Sequence, residues 1–187
     1  MSILEQIVGL RRQDVEERKL EEPLDKLAEK ASKKAPPLDF AGALRGDRIR
    51  LIAEVKRASP SRGLLAPNFD PGGLSRAYTQ NGAAAISVLT ETAHFQGSLE
   101  YLEDVRMGQD GSEVPILRKD FIFDPYQICE TRAFGADALL LIVSILEEGE
   151  LRSLLEETRR FGMEALVEVH TEVEVELALK AGASVIG

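Results

Sequence analysis

Six short runs of apolar and β-branched residues, at 49–55, 84–89, 114–117, 138–143, 165–169 and 184–186, divide most of the chain into a regular alternation. The segments between them carry helix start and stop signals. Asp70-Pro71 and Asp124-Pro125 each supply an N-cap followed by proline, whose missing N–H costs nothing at the first helical position. Thr171 and Glu174 fit a capping box. Gly82, Gly135 and Gly182, each followed by Ala, stand where a left-handed helix end wants glycine. Leu151, Leu154, Leu155 and Thr158 fall on one helical face. Strands alternating with helices over short loops predict a parallel sheet, because parallel neighbours need a crossover.

Charged residues distinguish an open sheet from a closed one. Glu54 and Lys56 lie on the first strand, Lys119 at the end of the third and Glu168 on the fifth. The second, fourth and sixth strands are apolar. In a (β/α)8 barrel the inward side chains of alternate strands share layers, and chemistry sits at the carboxyl ends of the strands. The pattern therefore predicts an α/β barrel of the (β/α)8 type in which these groups converge.

Residues two apart on a strand share a face, so Glu54 and Lys56 project side by side. The same parity puts Arg118 and Asp120 opposite Lys119, and turns Glu168 to the barrel axis if Val167 and Val169 face the helices. Lysines beside carboxylates fit general acid and base catalysis. The plain alternative is a set of ion pairs closing a barrel end, Glu168 with one of the lysines among them. The Ser-Pro-Ser-Arg-Gly cluster at 59–63 predicts a turn. Phe95 and Phe121, in loops at the same end, are candidates for stacking on an aromatic substrate or for capping the core.

Residues 2–32 read as helix broken in two at Pro23, with Pro36-Pro37 as a linker and a helical turn at 40–44. Residues 1–48 are thus expected to form a helical extension packed on a barrel domain over 49–187. A net charge of -9 disfavours nucleic acid as a partner but leaves room for a small anion in a lysine-lined cleft. No apolar run approaches the roughly 20 residues that span a bilayer. The charged residues Glu5, Arg11, Arg12 and Asp14 are unlike a signal peptide, and one cysteine, Cys129, suits a reducing cytoplasm. Neither a metal-ligand spacing nor a glycine-rich nucleotide loop is present, so no metal and no cofactor are expected.

The motifs I-A-E-V-K-R-A-S-P-S, S-V-L-T-E, H-F-Q-G-S-L, L-R-K-D-F-I-F-D-P-Y-Q-I, A-L-L-L-I-V, A-L-V-E-V-H-T-E and A-G-A-S-V-I-G follow one another from 52 to 187. In order and spacing they resemble the indole-3-glycerol-phosphate synthase family, tryptophan-pathway lyases on a (β/α)8 barrel with an N-terminal helical extension. The resemblance implies conversion of 1-(2-carboxyphenylamino)-1-deoxyribulose 5-phosphate to indole-3-glycerol phosphate, carbon dioxide and water without a cofactor. It implies Lys119 as general acid, Glu168 as base, Lys56 at the substrate carboxylate and Glu54 as the group that positions the lysines. Ser59 resembles a phosphate ligand, and Phe95 and Leu140 resemble the lining of the aromatic pocket.

The family's pattern continues past the sixth strand, whereas this sequence stops at Gly187. The expectation is a piece of a longer product that by itself is inactive and self-associates through unpaired strand edges. The alternatives are a non-catalytic assembly module, or another phosphosugar barrel such as phosphoribosylanthranilate isomerase, which uses a Cys-Asp pair.

Overall fold

The computed structural model describes residues 3–187. The expected six strands form one parallel sheet: β1 (Ile52–Val55), β4 (Ala85–Leu89), β5 (Ile116–Lys119), β6 (Ala138–Ile142), β7 (Glu164–Glu168) and β8 (Val185–Ile186). A short antiparallel hairpin, β2 (Ala58–Ser59) and β3 (Gly63–Leu64), follows the first strand. Helices α4 (Pro71–Gln80), α5 (Glu100–Gly108), α6 (Pro125–Ala133), α7 (Glu148–Arg160) and α8 (Glu172–Ala181) fill the crossovers. The sheet order β1-β4-β5-β6-β7-β8 follows the chain without reversal. A doubly wound sheet reverses order at a switch point. An unreversed order, with crossovers of one hand, keeps every helix on the same face, which is the barrel arrangement.

The register separates two faces. Val55, Ile86, Val88 and Ile116 pack outward in a cluster with Leu102 and Val105 of α5. Leu139, Leu141, Ala165 and Val167 meet Ile128, Leu151, Leu154 and Leu155 from the helices. Inward, Ala85, Leu117 and Ala138 meet Ile52, Leu166 and Val185 around Phe40, which is fully buried and closes the amino end of the sheet from α3 (Phe40–Ala43). The expected caps are present: Asp70 and Thr171 accept from Gly73 and Glu174 backbone N–H groups, and Asp124 from Tyr126. Gly82, Gly135 and Gly182 have φ of 83°, 82° and 91°, where a side chain would be strained.

Most strand limits fall within one residue of the sequence reading, but the first and third strands differ by more. Ile49 is fully exposed and β1 starts at Ile52, since its partner β4 begins only at Ala85. The third run, read as 114–117, lies two residues later because Ile86 pairs with Ile116. That shift brings Arg118 and Lys119 into the strand. The hairpin turns at the expected 59–63 cluster, but its pairing was not anticipated.

The chain before β1 forms α1 (Ile3–Glu21) and α2 (Leu24–Ser32), split at Pro23 as expected; Ser2 lies outside the described residues. Val15, Leu27 and Ala31 pack on Tyr126, Cys129 and Ala133 of α6. Tyr126 Oη donates to the Arg18 and Glu22 carbonyls, 3.1 and 2.9 Å away, at the end of α1. Arg11, on the same buried face as Ile7 and Val15, reaches Asp120, with Nε donating to Oδ1 at 3.1 Å. Asp120 also accepts from Thr90 Oγ1 at 2.5 Å and Arg118 Nη2 at 2.9 Å. Among the described residues, no helix is long and apolar enough to cross a membrane.

Burial alone would raise the pKa of Asp120, but the charges of Arg11 and Arg118 outweigh it, and with the Thr90 hydrogen bond they hold the carboxyl near about 2, against an ordinary 3.8. A depressed carboxylate stabilises the fold fully above its unfolded pKa and ceases to do so as pH falls through its folded one. Acid should therefore remove on the order of 2 kcal/mol between about pH 4 and pH 2 through this group. Urea titrations over that window should show the loss, and Asp120→Asn, although less stable overall, should show a shallower pH slope; an unchanged slope would assign the acid lability elsewhere.

Candidate active site

At the carboxyl ends of the strands a cavity of about 210 Å³ is lined by Glu54, Lys56, Leu89, Phe95, Lys119, Asp120, Phe121, Leu140, Ile142 and Glu168. Seven of the eight residues singled out from sequence stand on it; Ser59 does not line it. Ser59 sits on the adjoining hairpin, whose Ala58 N–H donates to the Phe95 carbonyl at 3.2 Å. Asp120 also borders the cavity at β5's end, while its side chain turns away to Arg11, Thr90 and Arg118 as parity predicts. Leu89 and Ile142 were not singled out, since apolar residues on apolar strands carry no signal of their own.

Glu54 is the hub of this site. Lys119 Nζ, two strands away, donates to Glu54 Oε2 at 2.8 Å, while Lys56 Nζ donates to Oε1. Alternate strands thus meet inside, as the layering of barrel side chains requires. Burial works to raise the Glu54 pKa, yet the hydrogen bonds from Lys119 and Lys56, and their charges, hold it below the usual carboxylate range. Glu54 stays ionised and fixes two ammonium groups in one partly buried space, where charge acts more strongly than in water.

Glu168 projects inward from β7, and Val167, on the opposite face, is fully buried against the helices, as parity predicted. The plain alternative, an ion pair of Glu168 with a lysine, is not what the structure shows. Its Oε1 lies 3.2 Å from His170 Nε2. Both lysines are engaged by Glu54 instead. Through β4, Glu54 is level with Ser87 and Leu117, so Lys119, two residues further along β5, reaches back to it, while Glu168 stands beside Ile142. The aromatic side is built by Phe95 and Phe121, with ring centroids 6.3 Å apart and planes tilted by 41°.

Sequence reasoning missed what supports this wall. Arg118, fully buried behind Lys119, donates to Thr90 Oγ1, the Gln127 carbonyl, Glu130 and Thr131 as well as Asp120. Its only signal was a cation on the outward parity of a strand otherwise apolar there.

A larger cleft of about 570 Å³ opens at the amino ends of the strands. Most of its charges are already matched, Arg106 with Asp137, Lys34 with Glu103 at 2.6 Å, and Arg132 with the Ala35 and Ala136 carbonyls. Cys129 is buried mid-helix on α6, with its thiol pushed up to about 11 by burial and then by Glu130. It is neither at a strand end nor poised to ionise.

The family model described as indole-3-glycerol phosphate synthase matches residues 4–187. The indole-3-glycerol phosphate synthase of Roseiflexus sp. (strain RS-1) is 54% identical over 190 residues, covering 100% of this chain and 71% of that protein. Those of Dehalococcoides mccartyi and Mycolicibacterium vanbaalenii are 51% and 54% identical, spanning 99% and 100% of this chain and 72% and 67% of theirs. In fold, the chain is similar to a solved 3-hexulose-6-phosphate synthase, with a TM-score of 0.55 at 10% identity, covering 74% of this chain and 63% of that one. It is also similar to KGPDC from Streptococcus mutans, with a TM-score of 0.53 at 15% identity over 73% and 60%. Both likenesses agree with a TIM-barrel fold.

Proposed function

This chain belongs to the indole-3-glycerol phosphate synthase family, and from that premise we propose that the family's reaction runs in the cavity between Glu54, Lys56, Lys119 and Glu168. The family is a carbon–carbon lyase of tryptophan biosynthesis. It turns 1-(2-carboxyphenylamino)-1-deoxyribulose 5-phosphate into indole-3-glycerol phosphate, carbon dioxide and water. The observation that carries the assignment is the pair of ammonium groups held on Glu54 beside an aromatic wall.

The ring carbon bearing the carboxylate attacks the ribulose carbonyl, and Lys119 gives its proton to the carbonyl oxygen as the new carbon–carbon bond forms. A cation at that oxygen offsets the loss of aromaticity, since charge developing there is stabilised by a donor already in place. Lys56 holds the departing carboxylate and assists proton transfer. Breaking the carbon–carboxylate bond returns its electron pair to the ring and frees carbon dioxide. That return of electrons restores the aryl ring. Glu168 then takes a proton from the carbon between the nitrogen and the hydroxyl-bearing carbon, and Lys56 gives a proton to the departing hydroxyl. Water leaves as the double bond that completes the indole forms. The sequence is redox-neutral, so side chains can carry it without a cofactor. Phe95, Phe121 and Leu140 wall the aryl ring. Ser59, on the hairpin tied to Phe95, serves the phosphate end. The helical extension before β1 acts as a brace on α6 and, through Arg11, on Asp120 at the end of β5, and the protein works in the cytoplasm.

The isomerase alternative finds no support in the buried Cys129. Self-association rests on the sheet: among the described residues β1 pairs only with β4, and β8 only with β7, leaving backbone groups on both outer edges. Light scattering on the 187-residue polypeptide should show mass rising with concentration; a constant monomer mass would remove this part of the proposal.

Lys119→Met should lower kcat of the active enzyme by at least ~100-fold, the low end for a positioned general acid, with the fold retained because Met keeps the length. Near-normal turnover would take Lys119 out of the mechanism. Glu168→Gln should suppress kcat while KM stays within about threefold, because the amide keeps the shape and cannot take a proton. An effect confined to KM would reassign Glu168 to binding.

A further inference from the structure

The chemistry above leaves unused a carboxylate that is more deeply buried than any of its own. Glu91, just past the end of β4, is 2% exposed and does not line the cavity. Its two oxygens gather the backbone of the following loop. Oε2 accepts from the N–H groups of His94 at 2.7 Å and Phe95 at 2.9 Å; Oε1 accepts from Ala93 N–H at 3.1 Å and lies 3.3 Å from His94 Nδ1. The Glu91 carbonyl closes the same loop by accepting from Gly97 N–H at 2.8 Å. Gln96 has a left-handed φ of 50°, and a Cβ on Gly97 would stand 2.4 Å from the Leu89 carbonyl oxygen. The loop therefore closes only with its N–H groups turned inward onto an acceptor, and with glycine where it crosses the strand end.

We propose that Glu91 is a positioning residue for the aryl end of the substrate, acting through the backbone of Phe95. Three convergent N–H donors suit a carboxylate, which only accepts; an amide side chain would set its own NH2 against one of them. Held this way, Phe95 keeps its ring beside Phe121 and its carbonyl on Ala58 N–H, next to Ser59. One buried group thereby ties the aryl wall to the hairpin proposed for the phosphate. These are the non-reacting parts of the substrate, whose binding fixes the reacting carbons. The inference rests on the reading of Phe95 as the aryl wall given above.

The test is a double-mutant cycle of Glu91→Gln and Phe95→Leu by steady-state kinetics on the active enzyme, with thermal melts in parallel. Glu91→Gln should raise KM about tenfold, with kcat changing less, as expected when stacking on a misplaced ring is lost. In the Phe95→Leu background the same substitution should change KM by no more than about twofold, because the group it positions is gone. An equal rise in both backgrounds, or no rise in either, would overturn the proposal and leave Glu91 a stabilising residue only. If Phe95→Leu alone leaves KM unchanged, the aryl-wall reading fails, and this inference fails with it. Should Glu91→Gln not fold, Gly97→Ala, which pushes the same loop off the Leu89 carbonyl, takes its place in the cycle with the same expected non-additivity.

Discussion

Three consecutive charges at the end of β5 are divided between two faces of one strand, and the site depends on that division. Burying an ion is costly unless it is paired and its hydrogen-bonding capacity is filled. Arg118 meets both conditions: wholly enclosed under α6, it spends its donors on Thr90, Gln127, Glu130, Thr131 and Asp120. Asp120 is then clamped from the other side by Arg11 of α1. Between these two immobile residues Lys119 can point only inward. The extension before the barrel is thus joined electrostatically to the residue next to the proposed acid, while apolar contacts through Val15 and Leu27 hold the rest of it.

Inside the barrel the charges are distributed unevenly, which suits the chemistry. Both ammonium groups share Glu54, whereas Glu168 stands apart with His170. Had the lysines paired one to each carboxylate, the proposed donor and acceptor of protons would have neutralised each other. Separate partners leave one wall of the cavity cationic and another able to accept a proton. The aromatic side chains Phe95 and Phe121 stand on a further side, so the cavity is chemically asymmetric.

Much of this was legible in the residues themselves. Alternation, caps and the parity of Glu54, Lys56, Lys119 and Glu168 follow from local periodicity, which a single sequence displays directly. The start of β1 and the position of β5 were misplaced because strand limits are set by the neighbour that pairs, and register is a tertiary property. Which of the inward charges pair was left open for the same reason: the choice depends on stagger between strands. Arg118, Thr90 and Glu91 were not recognised as supports, since a buried polar residue looks like a surface one until its environment is known. The two-residue hairpin strands were too short to show any alternation.

Packing of α1 and α2 over α6 has a further effect on Cys129. Burial first, and then the charge of Glu130, push its thiol up to about 11, well above neutral pH. The nucleophilic form is almost absent, and Val15, Leu27 and Ala31 cover the sulfur. Oxidants and alkylating agents can reach it only when the helical layer lifts away. The chain's sole cysteine is therefore chemically silent while that layer is seated, and its reactivity measures how often the layer opens.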